Sequence, residues 1–138
     1  MTPMRVGFVG GGEHARMSLL PSLRHALGGA SEGLPALVAT HAGAQLPPLL
    51  GELVALAEHK ADHAKRIAAV HGIQRVYANH EDMLAHEDLD CVIVCLHPRL
   101  QPDVAIACLN AGVHVFLEKP QAESVAESLR IRDAAARH

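Results

Sequence analysis

The chain has 138 residues, of which 49% are hydrophobic, and carries a formal charge of −3 at neutral pH. That length suits one domain with a real core, the composition excludes a disordered chain, and the acidic balance leaves no basic footprint for nucleic acid. No segment approaches the roughly 18 apolar residues of a membrane span, and the apolar stretch Val6 to Val9 is too short for a signal peptide, so a small molecule is the expected partner and the cytoplasm the expected compartment.

Apolar runs of strand length alternate with alanine-rich helical stretches, which predicts βαβ units and a parallel sheet. Aromatic residues are confined to Phe8, Tyr77 and Phe116, so Leu, Val, Ile and Ala must build the core, as in sheets covered by helices on both faces. Arg5 to Val9 is the first strand. A helix from about Glu13 to Leu27 follows, with a kink expected at Pro21, which lacks an N–H. Gly28 to Gly51 is rich in glycine and proline and reads as an insertion. Glu52 to Ala57 is the second strand. Asp62 to His71 is a helix with Ala64, Ile67, Ala68 and His71 on one face and Gly72 as its stop. Gln74 to Tyr77 is a short third strand, and Asn79 with Asp82 starts a short helix through Ala85. Cys91 to Leu96 is the most apolar strand, Pro102 to Ala111 a helix, and Val113 to Leu117 the fifth strand. Ser124 with Glu127 forms a capping box for a last helix. Together these elements give an α/β, doubly wound parallel sheet of order 3-2-1-4-5 in three layers. The cysteines Cys91, Cys95 and Cys108 fall in predicted buried elements and read as reduced core residues.

Directly after the first strand, Gly10-Gly11-Gly12-Glu13-His14-Ala15 fits G-x-G-x-x-A. Gly10 allows a tight turn, Gly12 lets backbone N–H groups approach a pyrophosphate, and the small Ala15 lets helix pack on strand. Between a strand and a helix, this pattern predicts dinucleotide binding. The carboxylate of Glu13 would repel a pyrophosphate and is expected to point away, with His14 or Arg16 offsetting it.

Such a site needs an acid at the tip of the second strand for the adenosine ribose hydroxyls, about 20 residues beyond the glycines. Glu58 is the candidate. It lies 43 residues after Ala15, an excess that matches the insertion. A competing reading makes Leu37-Val38-Ala39-Thr40 the second strand, Glu52 to Val70 one long helix, and leaves no ribose acid. The charge of Glu58 favours NAD over NADP mildly, whereas His59 and Lys60 would welcome an extra phosphate.

Of eleven histidines, His59 and His63 have helical i, i+4 spacing, but no third ligand is placed and no metal site is expected. Leu96 ends the fourth strand and His97-Pro98-Arg99 follows it, on the crevice of such a sheet, where Leu96, His97 and Pro98 should line the nicotinamide half of the cofactor. The fifth strand ends in Glu118-Lys119-Pro120. Alternation along a strand sends Glu118 and Lys119 to opposite sides and predicts separate partners for them, and Lys119 projects at the strand tip, where parallel sheets bind ligands.

The glycine turn, Leu20-Pro21-Ser22-Leu23, Glu52 to Glu58, Leu89 to Val94 and the block Ala111-Gly112-Val113-His114-Val115-Phe116-Leu117-Glu118-Lys119-Pro120 together resemble the glucose-fructose oxidoreductase/inositol dehydrogenase/rhizopine catabolism (Gfo/Idh/MocA) family. The resemblance implies a Rossmann domain for NAD or NADP over residues 1–120, with 121–138 opening the helix that leads to a second, substrate-binding domain. It implies hydride transfer between the nicotinamide and a carbinol carbon of a sugar, polyol or related small molecule. Lys119 would then lie beside nicotinamide and substrate as the catalytic residue, with Glu118 in the cofactor pocket. The chain departs from the family in reading Leu96-His97-Pro98 and Gln101 where relatives often carry Thr-Pro-Asn and then a histidine.

The second domain, with its proton-transferring residues, would begin beyond His138. The expectation is therefore the cofactor-binding half of an oxidoreductase, inactive alone, with an apolar sheet edge open to homo-oligomer formation. The alternative is a freestanding, non-catalytic dinucleotide-binding module.

Overall fold

The structure, a computed structural model, describes residues 2–27 and 50–138. Except for Leu50 and Gly51, the expected insertion lies outside the described residues, as does the alternative strand Leu37 to Thr40. Among the described residues no helix is long and apolar enough to cross a membrane.

Five parallel strands, β1 (Met4–Val9), β2 (Gly51–Ala57), β3 (Arg75–Tyr77), β4 (Cys91–Val94) and β5 (His114–Leu117), form one sheet in the order β3-β2-β1-β4-β5. This is the expected 3-2-1-4-5 order. β2 occupies the place beside β1, which rules out the reading of Glu52 to Val70 as one helix. The physical reason is burial on both faces: Val54 to Ala57 are all buried, as a central strand of a helix-covered sheet requires.

Between β1 and β2 the register shifts, with Val6 opposite Leu53 and Gly7 opposite Ala55. The extra residue, Val54, is a one-residue bulge. It puts Val54 and Ala55 in the same apolar cluster, and from there Leu56 and Ala57 alternate normally between the two faces. A one-residue slip reverses every side chain beyond it. The bulge therefore decides which way the residue after β2, Glu58, will face.

Among the described residues, five α-helices cover the sheet: α1 (Leu20–Ala26), α2 (Ala61–His71), α3 (His80–His86), α4 (Gln101–Asn110) and α5 (Val125–Ala135). Phe8, Ala15, Leu20, Leu56, Ala64 and Ile67 fill the space under α1 and α2, while Val9, Met83, Val92, Val94, Val104 and Cys108 fill that under α3 and α4. Full burial of each large side chain such as Phe8 or Leu56 contributes about 1.5–3 kcal/mol. The caps read from sequence are present: Asn79 Oδ1 accepts the N–H of Asp82, Ser124 Oγ accepts that of Glu127, and Gly72 ends α2 with φ 71°. Ala134 of α5 is fully buried and Arg130 reaches Asp103 of α4 across 3.1 Å.

The expected break at Pro21 takes a specific form. Glu13 and His14 open the helix, Ala15–Leu19 are wound as a π-turn in which Leu20 N–H bonds Ala15 five residues back, and α1 resumes with Pro21 in its first turn. Pro21 has no N–H with which to continue the wider ladder, so the π segment ends there.

Beside β3, buried Glu87 accepts a hydrogen bond from the Tyr77 hydroxyl (2.6 Å) and pairs with Arg5 (3.4 Å) and Arg75. Two guanidiniums offset a desolvation penalty that would be several kcal/mol for an unpaired ion. The hydrogen bond to Glu87, before burial, pushes the Tyr77 hydroxyl up from its ordinary pKa.

Candidate functional site

The three glycines after β1 have three different environments. Gly10 has φ 104°, and a Cβ there would lie 2.2 Å from the carbonyl oxygen of Cys95, with Leu96 Cδ2 at 3.0 Å. Only glycine fits that backbone and that approach. A Cβ on Gly11 would meet Ile67 Cδ1 at 2.7 Å and Glu58 Oε2 at 2.8 Å. A Cβ on Gly12 would meet nothing within 4 Å. Protein packing therefore explains Gly10 and Gly11 but not Gly12, whose exposed backbone borders open space where a ligand could approach. Ala15, fully buried, seats the helix on the strand. Glu13 is exposed.

Glu58 stands at the tip of β2, 8% exposed, on the α2 side that the bulge selects. Its Oε1 accepts the backbone N–H of Lys60 (3.0 Å) and lies 3.0 Å from His59 Nδ1. Its Oε2 faces Gly11. The residue expected at a distance of 43 positions thus touches the glycine turn. Beside it, a small cavity of about 190 Å³ is walled by Glu58, His59, Lys65 and Tyr77.

On the other side of the turn, His14 Nε2 lies 3.1 Å from Glu118 Oε2. Of the two residues expected to offset Glu13, His14 or Arg16, His14 is engaged with the tip of β5. Glu118 Oε1 accepts the backbone N–H of Lys119 (2.8 Å). That bond, followed by the His14 contact, holds the Glu118 carboxyl below its ordinary pKa against the opposing effect of burial. Glu118 and Lys119 form no side-chain ion pair. The Lys119 side chain is exposed and has no carboxylate within 4 Å among the described residues, and its peptide bond to Pro120 is cis.

Leu96 packs against Gly10, whereas His97 Nδ1 accepts the N–H of Arg99 (3.3 Å) and faces Glu123 at 3.9 Å, with Pro98 half-buried behind it. Among the described residues no hydrogen bond joins His97 to the glycine turn. Cys95 and Cys108 are buried free thiols; burial pushes Cys108 up to about 12 and raises Cys95, so both stay protonated. Among the described residues no group of three His, Cys, Asp or Glu side chains could hold a metal ion.

Sequence reasoning missed two residues that build this site. Gln101 is fully buried at the head of α4, and its Nε2 donates to the carbonyls of Glu118 (2.9 Å) and Pro120 (2.7 Å), pinning the segment that carries Lys119. Its signal was present: Gln101, Val104, Ala105 and Cys108 share one helical face, a polar residue at a core position. His63, noticed only for its spacing from His59, places Nε2 2.6 Å from the Gly11 carbonyl.

Comparison with known proteins identifies the family and the fold. The profile of the Gfo/Idh/MocA group, described as "Oxidoreductase family, NAD-binding Rossmann fold", matches residues 4–138. Among curated relatives, a 4-carboxy-2-hydroxymuconate-6-semialdehyde dehydrogenase from Sphingobium sp. is 38% identical over 77 residues, covering 56% of this chain and 24% of its own. An inositol 2-dehydrogenase from Klebsiella pneumoniae is 35% identical over 83 residues, covering 59% and 25%. Among solved structures, the WlbA dehydrogenase from Chromobacterium violaceum, in complex with NADH and UDP-GlcNAcA, superposes with a TM-score of 0.73 at 27% identity over 99% of this chain and 33% of its own. A 3-ketoreductase from Actinomadura kijaniata in complex with NADP gives 0.75 at 27% identity, over 99% and 36%. The matches thus span about a quarter to a third of these relatives' length. The chain belongs to the Gfo/Idh/MocA oxidoreductase family and forms its NAD-binding Rossmann domain.

Proposed function

We propose that this chain is the cofactor-binding part of a nicotinamide-dependent oxidoreductase that moves a hydride between cofactor and a CH–OH carbon of a sugar, polyol or related small molecule. The observation that carries the reading is Gly12, which no protein contact requires to be glycine and whose backbone faces open space at the head of a helix. A pyrophosphate suits that place because unpaired N–H groups and the helix dipole both favour an anion there.

In this reading Gly10 and Gly11 shape the turn, Gly12, Glu13 and His14 present backbone N–H groups to the pyrophosphate, and Glu58 accepts the adenosine ribose hydroxyls through Oε2. The carboxylate favours NAD over the 2′-phosphate of NADP. The small cavity beside Glu58 receives the adenosine end. Leu96, His97, Pro98 and Glu118 border the nicotinamide end. The bound cofactor supplies a hydride acceptor or donor at its nicotinamide ring. Lys119, exposed and without an acidic partner among the described residues, orients the substrate hydroxyl and stabilises charge developing on its oxygen. Residues 1–120 serve as the cofactor domain and 121–138 as the lead into a substrate domain. Residues 1–138 match about a quarter to a third of the relatives' length, so these residues by themselves are expected to bind cofactor without oxidising a polyol.

The reading is tested by titrating the chain with NADH and with NADPH and assaying polyol oxidation. Binding of NADH tighter than NADPH, without turnover, is the expected result. Failure to bind either cofactor at millimolar concentration would remove the reading.

A further inference from the structure

We propose that His63 is a positioning residue for the phosphate-binding turn: by holding the Gly11 carbonyl from the α2 side it aims the Gly12 N–H into the crevice. The inference rests on the cofactor reading above and extends it to a residue outside the glycine motif.

The argument begins with the peptide unit between Gly11 and Gly12. It is trans, so the carbonyl of Gly11 and the N–H of Gly12 point in opposite directions. Glycines on both sides of this unit leave it free to rotate, which is useful for close approach but costly for preorganisation. A carbonyl oxygen can only accept, so the 2.6 Å contact requires that His63 carry its proton on Nε2 and donate it to Gly11. That bond fixes the unit. Fixing the carbonyl toward α2 turns the Gly12 N–H to the opposite side, and among the described residues this N–H meets no acceptor. The Gly12 carbonyl is already used, accepting the N–H of Arg16 at 3.1 Å in the first helical turn. Donation to the Gly11 carbonyl also polarises the peptide and strengthens the N–H on its far side as a donor.

His63 is itself held. It is half-buried on α2, one residue before Ala64 and four before Ile67, both of which are packed beneath the turn. A Cβ on Gly11 would strike Ile67, Glu58 and His63 together, at 2.7, 2.8 and 3.2 Å. The same small volume thus couples the carboxylate assigned to the ribose with the imidazole assigned to the turn. In this reading His63 touches neither cofactor nor substrate and is therefore not a catalytic residue. It acts through the Gly11–Gly12 peptide.

The test compares wild type with His63→Met, which keeps bulk and removes the donor, and His63→Gln, which keeps a donor. NADH affinity is read by fluorescence, and adenosine affinity by NMR titration. Losing one neutral hydrogen bond corresponds to a roughly three- to tenfold effect. His63→Met should therefore bind NADH about three- to tenfold more weakly and adenosine as wild type does, and His63→Gln should recover most of the NADH affinity. Equal loss for NADH and adenosine, or no loss for NADH, overturns the proposal. Failure of the wild type to bind NADH instead removes the cofactor reading, and this proposal with it. A second measurement needs no substitution: imidazole nitrogen shifts of the wild type, with the ring neutral, should show the proton on Nε2 of His63, and a proton on Nδ1 overturns the assignment.

Discussion

His14 donates its Nε2–H to Glu118 across 3.1 Å and so ties the first turn of the helix after β1 to the tip of β5, 104 positions away in the chain. The two ends of the crevice, the phosphate turn and the segment bearing Lys119, are thereby held in register. Glu118 is held below its ordinary pKa, first by the Lys119 N–H and then by His14. A depressed carboxyl stabilises the fold fully above its unfolded pKa and loses that contribution as pH falls through the folded value. Carboxyl NMR should therefore give Glu118 a midpoint below the usual value of about 4.3. In His14→Ala the midpoint should rise only partway, because the larger cause remains. A midpoint at or above the ordinary value in the wild type would contradict the geometry.

Gly10 and Gly12 should respond oppositely to alanine. Gly10→Ala forces a Cβ to 2.2 Å from the Cys95 carbonyl oxygen at φ 104°, and a loss of about 2 kcal/mol or more in denaturant unfolding is expected. Gly12→Ala meets no protein atom, so its stability should stay within about 0.5 kcal/mol of wild type while NADH binding falls at least about tenfold. Loss of folding in Gly12→Ala, or full cofactor affinity, would contradict the assignment of that open space.

Gln101→Met removes two part-buried hydrogen bonds that the fully buried Gln101 makes to the carbonyls of Glu118 and Pro120. Leaving a buried acceptor unpaired costs about 1–3 kcal/mol; the cost here is moderated because Glu118 is only partly buried, Pro120 is exposed and the Gln101 Oε1 is itself buried without a partner. A lowered Tm and faster amide exchange in the segment around Lys119 are expected. Unchanged exchange there would show that Gln101 does not position it.

Glu58→Gln preserves the acceptor for the Lys60 N–H but removes the charge facing Gly11. The ratio of NADPH to NADH affinity should rise roughly tenfold, because the repulsion of a 2′-phosphate disappears. An unchanged ratio, measured by parallel titrations, would separate Glu58 from cofactor choice.

The sheet order and the glycine turn were legible because each depends on local patterning: strand-length apolar runs, glycine spacing and the Asn79 and Ser124 caps are all short-range signals. Even the choice of Glu52 to Ala57 over a long helix rested on a local reading of the run. What could not be read was tertiary. The π-turn at Ala15–Leu19 depends on how the helix seats on β1, and the Val54 bulge on pairing between strands separated by more than 40 residues. The same holds for His63, whose partner lies 52 positions away. Gln101 is the intermediate case: its place on an apolar helical face could have flagged it as buried, but the local signals start the helix at Pro102 and nothing local names its partners. His97 had the right position in the topology, yet its side chain is engaged locally with Arg99 and faces Glu123.

The most direct test of the account is to titrate the isotope-labelled chain with NADH and follow every backbone amide. The predicted result is that shifts concentrate at Gly10 to Ala15, at Glu58 to Lys60, and at Leu96 to Pro98 with Glu118 and Lys119. No shifts at millimolar NADH, or shifts centred instead on α5, would contradict it.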